Sequence, residues 1–116
     1  YTQLGLLFMK QKRWQESLEA LQEAIRLGEK TNDAYRYTLA LITLGDCYQQ
    51  QEQYSESVSI YQKALEIAKK HGFKRKQHII LLELSKCFKK IDRNEFISCL
   101  ENLFEIEVQL HRDKII

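Results

Sequence analysis

Leu41-Ile42-Thr43-Leu44-Gly45-Asp46-Cys47-Tyr48 decides the fold, because its pattern recurs at a fixed interval on both sides. Forty positions upstream, Leu4-Gly5-Leu6-Leu7-Phe8 lies over Leu44-Gly45-Asp46-Cys47-Tyr48; forty downstream, Leu84-Ser85-Lys86-Cys87-Phe88 does so. A second signature follows each block. It reads Trp14, Ser17, Leu21 and Ala24 in the first unit, and Tyr54, Ser57, Tyr61 and Ala64 in the second. The third unit fits best as Phe96, Cys99, Leu103 and Ile106, which predicts two extra residues in the turn before it. Self-similarity with a period of 20 to 50 residues marks a stack of like supersecondary units, each burying its apolar face against the next.

The units are helical. Gly5 and Gly45 fall inside helical patterns, where glycine costs about 1 kcal/mol relative to alanine, so close approach of a partner helix must be their reason. The aromatic three positions on shares their face, and the small residues Ser17, Ala24, Ser57 and Ala64 serve the same approach from the other helix. The chain has no proline and only four glycines, a composition suited to long helices with short connections. Periodicity predicts helices over about Tyr1 to Gln11, Trp14 to Lys30, Asp33 to Gln51, Tyr54 to His71, Lys74 to Ile91 and Asp92 to Leu110. Asn32 or Asp33 can cap the third, and Gly72 can end the fourth.

With these blocks in place, the chain resembles the tetratricopeptide repeat, whose pattern is W-x2-L-G-x2-Y followed by A-x3-F. Its first half stands here as Tyr1-x2-Leu4-Gly5-x2-Phe8, Leu41-x2-Leu44-Gly45-x2-Tyr48 and Leu81-x2-Leu84-Ser85-x2-Phe88. The period of 40 replaces the usual 34, the closing proline is missing, and the third unit has lost its glycine; this looks like the elongated variant of the repeat. The resemblance implies an all-α solenoid of about three antiparallel hairpins in a single domain, with repeats at about 1–32, 33–72 and 73–111. Only four residues precede Gly5, whereas the matching helix extends about ten before Gly45, so the chain is expected to be a C-terminal fragment of a larger protein that continues upstream into more repeats or into an effector domain.

In that family the first helix of each hairpin lines a concave groove that takes extended or helical peptides. Helical-wheel geometry groups Arg36, Leu39, Thr43, Asp46 and Gln50 on one face of the third helix, away from Leu44, Gly45 and Tyr48. The corresponding positions are Gln3, Leu6 and Lys10 before it, and Ile79, Glu83, Lys86 and Lys90 after it. Such a mixture can satisfy a peptide backbone and accept its side chains. The two-lysine, two-asparagine grip by which chaperone adaptors of the family hold a terminal carboxylate is absent, its places being held by Thr2, Leu6, Leu39, Ile42 and Thr43. The period, and the helix ends Ala24-Ile25-Arg26-Leu27-Gly28-Glu29-Lys30 and Ala64-Leu65-Glu66-Ile67-Ala68-Lys69-Lys70, are similar to those of the Gram-positive quorum-sensing receptors, the Rap, NprR and PlcR group. That likeness implies a sensory domain controlling an effector by reading a short peptide. The alternative is a scaffold for a folded protein, without a ligand-dependent switch.

No catalytic constellation emerges. His71, His78 and His111 are scattered, no HExxH, phosphate-loop or GxSxG pattern occurs, and nothing calls for a cofactor or metal. His71 is expected in the last turn of a helix and His78 in solvent. Cys47, Cys87 and Cys99 are odd in number, lack CxxC spacing and read as small core residues. A composition 44% apolar and 29% charged fits a cytoplasmic globular protein, and no stretch approaches a spanning helix.

Charge is uneven. Between Lys69 and Arg93 nine basic residues (Lys69, Lys70, Lys74, Arg75, Lys76, Lys86, Lys89, Lys90, Arg93) face two acidic ones, Glu83 and Asp92. An acidic partner fits this excess, while a net charge of only +2 and the lack of interleaved aromatics argue against direct nucleic-acid contact. The last helix has more apolar residues than one neighbour can bury. Ile97, Leu100, Phe104 and Val108 are therefore expected either to form a self-association or interdomain surface or to be partly covered by a folded-back tail carrying Ile115 and Ile116.

Overall fold

A computed structural model describes residues 1–115 as six helices: α1 (Thr2–Lys10), α2 (Trp14–Thr31), α3 (Ala34–Gln50), α4 (Tyr54–Lys70), α5 (Lys74–Ile91) and α6 (Arg93–Ile115). No strand occurs among the described residues. Each helix packs mainly on its chain neighbours, as in an antiparallel solenoid. The first helices also touch, α1 on α3 and α3 on α5, whereas among the described residues α2, α4 and α6 make no close backbone approach to one another. Close inner helices and splayed outer ones curve the stack, with α1, α3 and α5 on its inner side.

The turns follow half the repeat period. Lys12, Asn32, Glu52 and Gly72, twenty positions apart, all adopt positive φ, at 57°, 57°, 61° and 69°. After each, the next N–H returns to the carbonyl five residues back: Arg13 to Phe8 (2.8 Å), Asp33 to Gly28 (3.1 Å), Gln53 to Tyr48 (2.9 Å) and Phe73 to Ala68 (2.9 Å). These closures satisfy carbonyls that a helix end leaves bare and reverse the chain within three residues. Asp33 then caps α3, its carboxylate accepting from the Arg36 N–H at 3.1 Å.

The fifth turn breaks the series. Asp92 is extended (φ −155°) and caps α6 directly, accepting from the Glu95 N–H at 3.2 Å. The spacing predicted two extra residues in this turn; instead the turn shrinks to Asp92 alone, and helix absorbs them. Phe96 is consequently the fourth residue of α6, where Trp14 and Tyr54 open α2 and α4. A second correction concerns the tail. Residues 111–115 do not fold back over α6; they continue it beyond the predicted end at Leu110, with Asp113 paired to Lys74 at 3.0 Å and Arg112 and Lys114 suiting the C-terminal dipole. Ile116 lies outside the described residues.

Inside the hairpins, the glycines act as the spacing requires. A Cβ on Gly45 would lie 2.5 Å from the Tyr61 ring, and one on Gly5 2.7 Å from the Leu21 side chain. Ser17 and Ser57, both buried, donate to the Gly5 and Gly45 carbonyls at 2.8 and 2.7 Å, a second bond between the paired helices. In the third hairpin Cys99 stands in the serine position, and the Ser85 hydroxyl turns back to the Leu82 carbonyl of its own helix. The main core runs through Leu41, Tyr61, Ala64, Ile80, Leu84 and Cys87 and takes in Cys99, while Cys47 is buried in a second cluster with Met9, Leu21 and Leu44.

Candidate functional site

The inner face carries a cleft of about 500 Å³ that crosses three repeats. Leu6 and Met9 of α1 form one wall, Asp46, Gln49 and Gln50 of α3 the floor, and Glu83, Lys86 and Lys90 of α5 the other wall, with Tyr54 at the end. Helical periodicity produces this convergence: Asp46 and Gln50 are one turn apart on α3, as Glu83, Lys86 and Lys90 are on α5. Stacking at a fixed rotation then sets the two rows side by side.

Electrostatics divide the cleft. Asp46 is half-buried and accepts a hydrogen bond from the Tyr61 hydroxyl, which also reaches Gln49 Oε1 at 3.0 Å. Burial pushes the Asp46 carboxyl up to about 6; nearby Glu83 adds to the rise, while the Tyr61 bond and the Lys86 charge oppose it. Burial, followed by the adjacent carboxylate, pushes the Tyr61 phenol well above its ordinary value, so it remains a donor. Lys86 pairs with Glu83 at 3.2 Å, and Lys90 stands exposed one turn further on. The cleft thus offers a carboxylate pair and an ammonium pair beside the apolar edge of Leu6 and Met9.

Of the residues expected on the groove face, Leu6, Asp46, Gln50, Glu83, Lys86 and Lys90 converge on this cleft. Gln3, Arg36 and Leu39 border a second one, of about 640 Å³, between α1 and the start of α3. There Arg36 is held by Asp33 at 3.4 Å. Thr43 lies between the two along α3, buried, its hydroxyl donating to the Leu39 carbonyl at 3.0 Å. Lys10 is exposed at the end of α1 and borders neither. Ile79 sits at the other end of α5, beside Leu110.

The spacing did not place Met9, Gln49, Tyr54 or Tyr61 on the groove face, Tyr54 and Tyr61 being read only as part of the packing signature. Tyr61 carried a signal: it occupies the position of Leu21, and a hydroxyl there, buried one helix away from Asp46, needs a partner. His78 is another departure, since its Nε2 contacts Glu107 Oε1 at 3.1 Å across α5 and α6 and is half-buried, not solvated. His71, expected in the last turn of α4, lies one residue past it as the C-cap and stacks on Phe73.

The family model described as tetratricopeptide repeat matches residues 1–70, the span of the first two hairpins. The chain belongs to the tetratricopeptide repeat family. No curated protein matches it as a relative. The third tetratricopeptide hairpin lies past the matched span, where Ser85 replaces the glycine and the register slips by two residues. Even so α6 packs on α5 through Cys99, Ile106, Phe96 and Leu103, so the hairpin packing continues without the motif. Tetratricopeptide repeats form a protein-interaction fold, which makes protein partners the general expectation for this domain. No described helix is long and apolar enough to cross a membrane.

Proposed function

We propose that this tetratricopeptide domain is a receptor for a short peptide, bound across the inner ends of α1, α3 and α5. The observation that carries the reading is the three-repeat cleft, whose Asp46 and Glu83 suit cationic groups and whose Lys86 and Lys90 suit anionic ones. Gln3, Arg36 and Leu39 would extend contacts toward the first repeat. The likeness to the Rap, NprR and PlcR receptors supports a sensory role within a peptide-regulated bacterial regulator. A ligand touching three repeats at once favours one curvature of the stack over others, and that differential contact is what shifts the population toward an effector-competent state.

Self-association through α6 would give such a shift a readout. Ile97, Leu100 and Phe104 are 48%, 43% and 67% exposed, in line with Val108. The matching positions of α4, forty-two residues earlier, carry Ser55, Val58, Gln62 and Glu66, so the row is apolar only in the last repeat.

Heptapeptides selected by display against the domain test the proposal by titration calorimetry. Binding is expected to weaken at least tenfold in Lys86→Glu/Lys90→Glu or Glu83→Lys variants, with helicity unchanged. A domain that yields no binding peptide, yet captures a folded protein without any change in oligomeric state, is instead a scaffold.

A further inference from the structure

A separate cationic cleft lies where α5 begins, at the far end of that helix from Lys86 and Lys90. Its larger lobe, of about 480 Å³, is walled by Tyr35, Phe73 and Leu110 and by the side chains of Lys74, Arg75, Lys76 and Lys114. A smaller lobe of about 350 Å³ opens beside Ile79 and His78 and shares Arg75, Leu110 and Lys114 with the first. Lys74 is neutralised by Asp113 at 3.0 Å. Among the described residues, Arg75, Lys76 and Lys114 have no carboxylate within ion-pairing distance. Lys69 and Lys70, in the last turn of α4, add positive charge at the same edge of the stack, and the start of α5 carries no acidic residue.

We infer that this cleft binds a carboxylate-rich peptide segment of a protein partner, with acidic side chains on Arg75, Lys76 and Lys114 and an apolar side chain between Ile79 and Leu110. Charge complementarity selects the acidic partner. The apolar walls select a peptide over a nucleic acid: Ile79 is 46% exposed, and Leu110 lies in both lobes. Base stacking is also poorly served. The Tyr35 ring has the Lys76 ammonium 3.9 Å from its centroid and packs near-perpendicular to Phe73 with centroids 5.7 Å apart, and Phe73 itself stacks on His71 with centroids 5.5 Å apart. Lys76 takes one face of Tyr35, a contact that holds its ammonium on the cleft wall. This surface stands apart from the peptide-receptor reading, because it shares no residue with the inner cleft.

The test uses three fluorescein-labelled probes measured by anisotropy: a twelve-residue peptide of alternating glutamate pairs and single leucines, its glutamine analogue, and a single-stranded oligodeoxynucleotide. The acidic peptide is expected to bind, to weaken steeply between low and physiological salt, and to lose at least tenfold in affinity in Arg75→Glu/Lys114→Glu. The milder Arg75→Gln/Lys114→Gln pair should lose severalfold, and the charge-matched control Lys12→Glu/Lys30→Glu, at exposed positions that line neither cleft, should stay within twofold of the parent. Equal binding of the glutamine analogue, preference for the oligonucleotide, or an equal loss in the Lys12/Lys30 control would each overturn the assignment.

Discussion

Gly45 sets the separation of α3 from α4, because the fully buried Tyr61 ring occupies the space a Cβ would need. Gly45→Ala gains about 1 kcal/mol of helix propensity but forces overpacking that costs about 1–3 kcal/mol, so the net expected in urea denaturation is destabilisation. Gly5→Ala should destabilise as well, since its Cβ would meet Leu21 at 2.7 Å and that side chain is fully buried. Asp46 gives a prediction in pH. Its folded carboxyl sits at about 6 against an ordinary 3.8, so between those values the native chain holds a proton that the unfolded chain has released. Stability contributed by this group is therefore present below pH 4 and declines as pH rises through 6. Asp46→Asn should show a shallower decline, the difference reaching on the order of 1–3 kcal/mol by pH 7 in parallel denaturation series. The glycines were legible from the sequence because glycine in a helix demands a reason. The Ser57 bond to the Gly45 carbonyl and the Tyr61 bond to Asp46 were not, because both depend on a facing helix whose rotation no local pattern encodes.

Among the elements, the residues of positive φ at twenty-position spacing set each reversal. Two of them could be read in advance, since Asn32 and Gly72 are types that accept a left-handed backbone; Lys12 and Glu52 declare nothing by type. This difference is measurable. Glu52→Gly should stabilise the domain by about 0.5–1 kcal/mol through relieved strain, and Gly72→Ala should destabilise it by about 1 kcal/mol even though nothing lies within 4 Å of the added methyl. Thermal melts of the two variants should move in opposite directions. The long α6 escaped the pattern for a related reason: no glycine or proline follows Leu110 to stop it, and the Lys74–Asp113 pair that holds its last turn joins residues 39 positions apart.

For the whole molecule, curvature decides what the surface offers. Resemblance to the family marked the first helices as the inner layer, and six of the residues that wheel geometry then chose on them converge on one cleft. It did not separate Gln3, Arg36 and Leu39 into a cleft of their own, because the rotation between successive hairpins is a property of the assembled stack. At this scale the exposed row on α6 also acquires its meaning. Phe104→Glu is expected to abolish any concentration-dependent increase in mass by sedimentation equilibrium while leaving the melting temperature within a few degrees, since Phe104 is 67% exposed. The most direct test of the central claim is hydrogen–deuterium exchange of the domain with and without a display-selected heptapeptide. Slowed exchange centred on the inner helices α1, α3 and α5, and strongest in their C-terminal halves, is the predicted result; protection centred on the outer helices α2 and α4, with the inner helices unchanged, would contradict it.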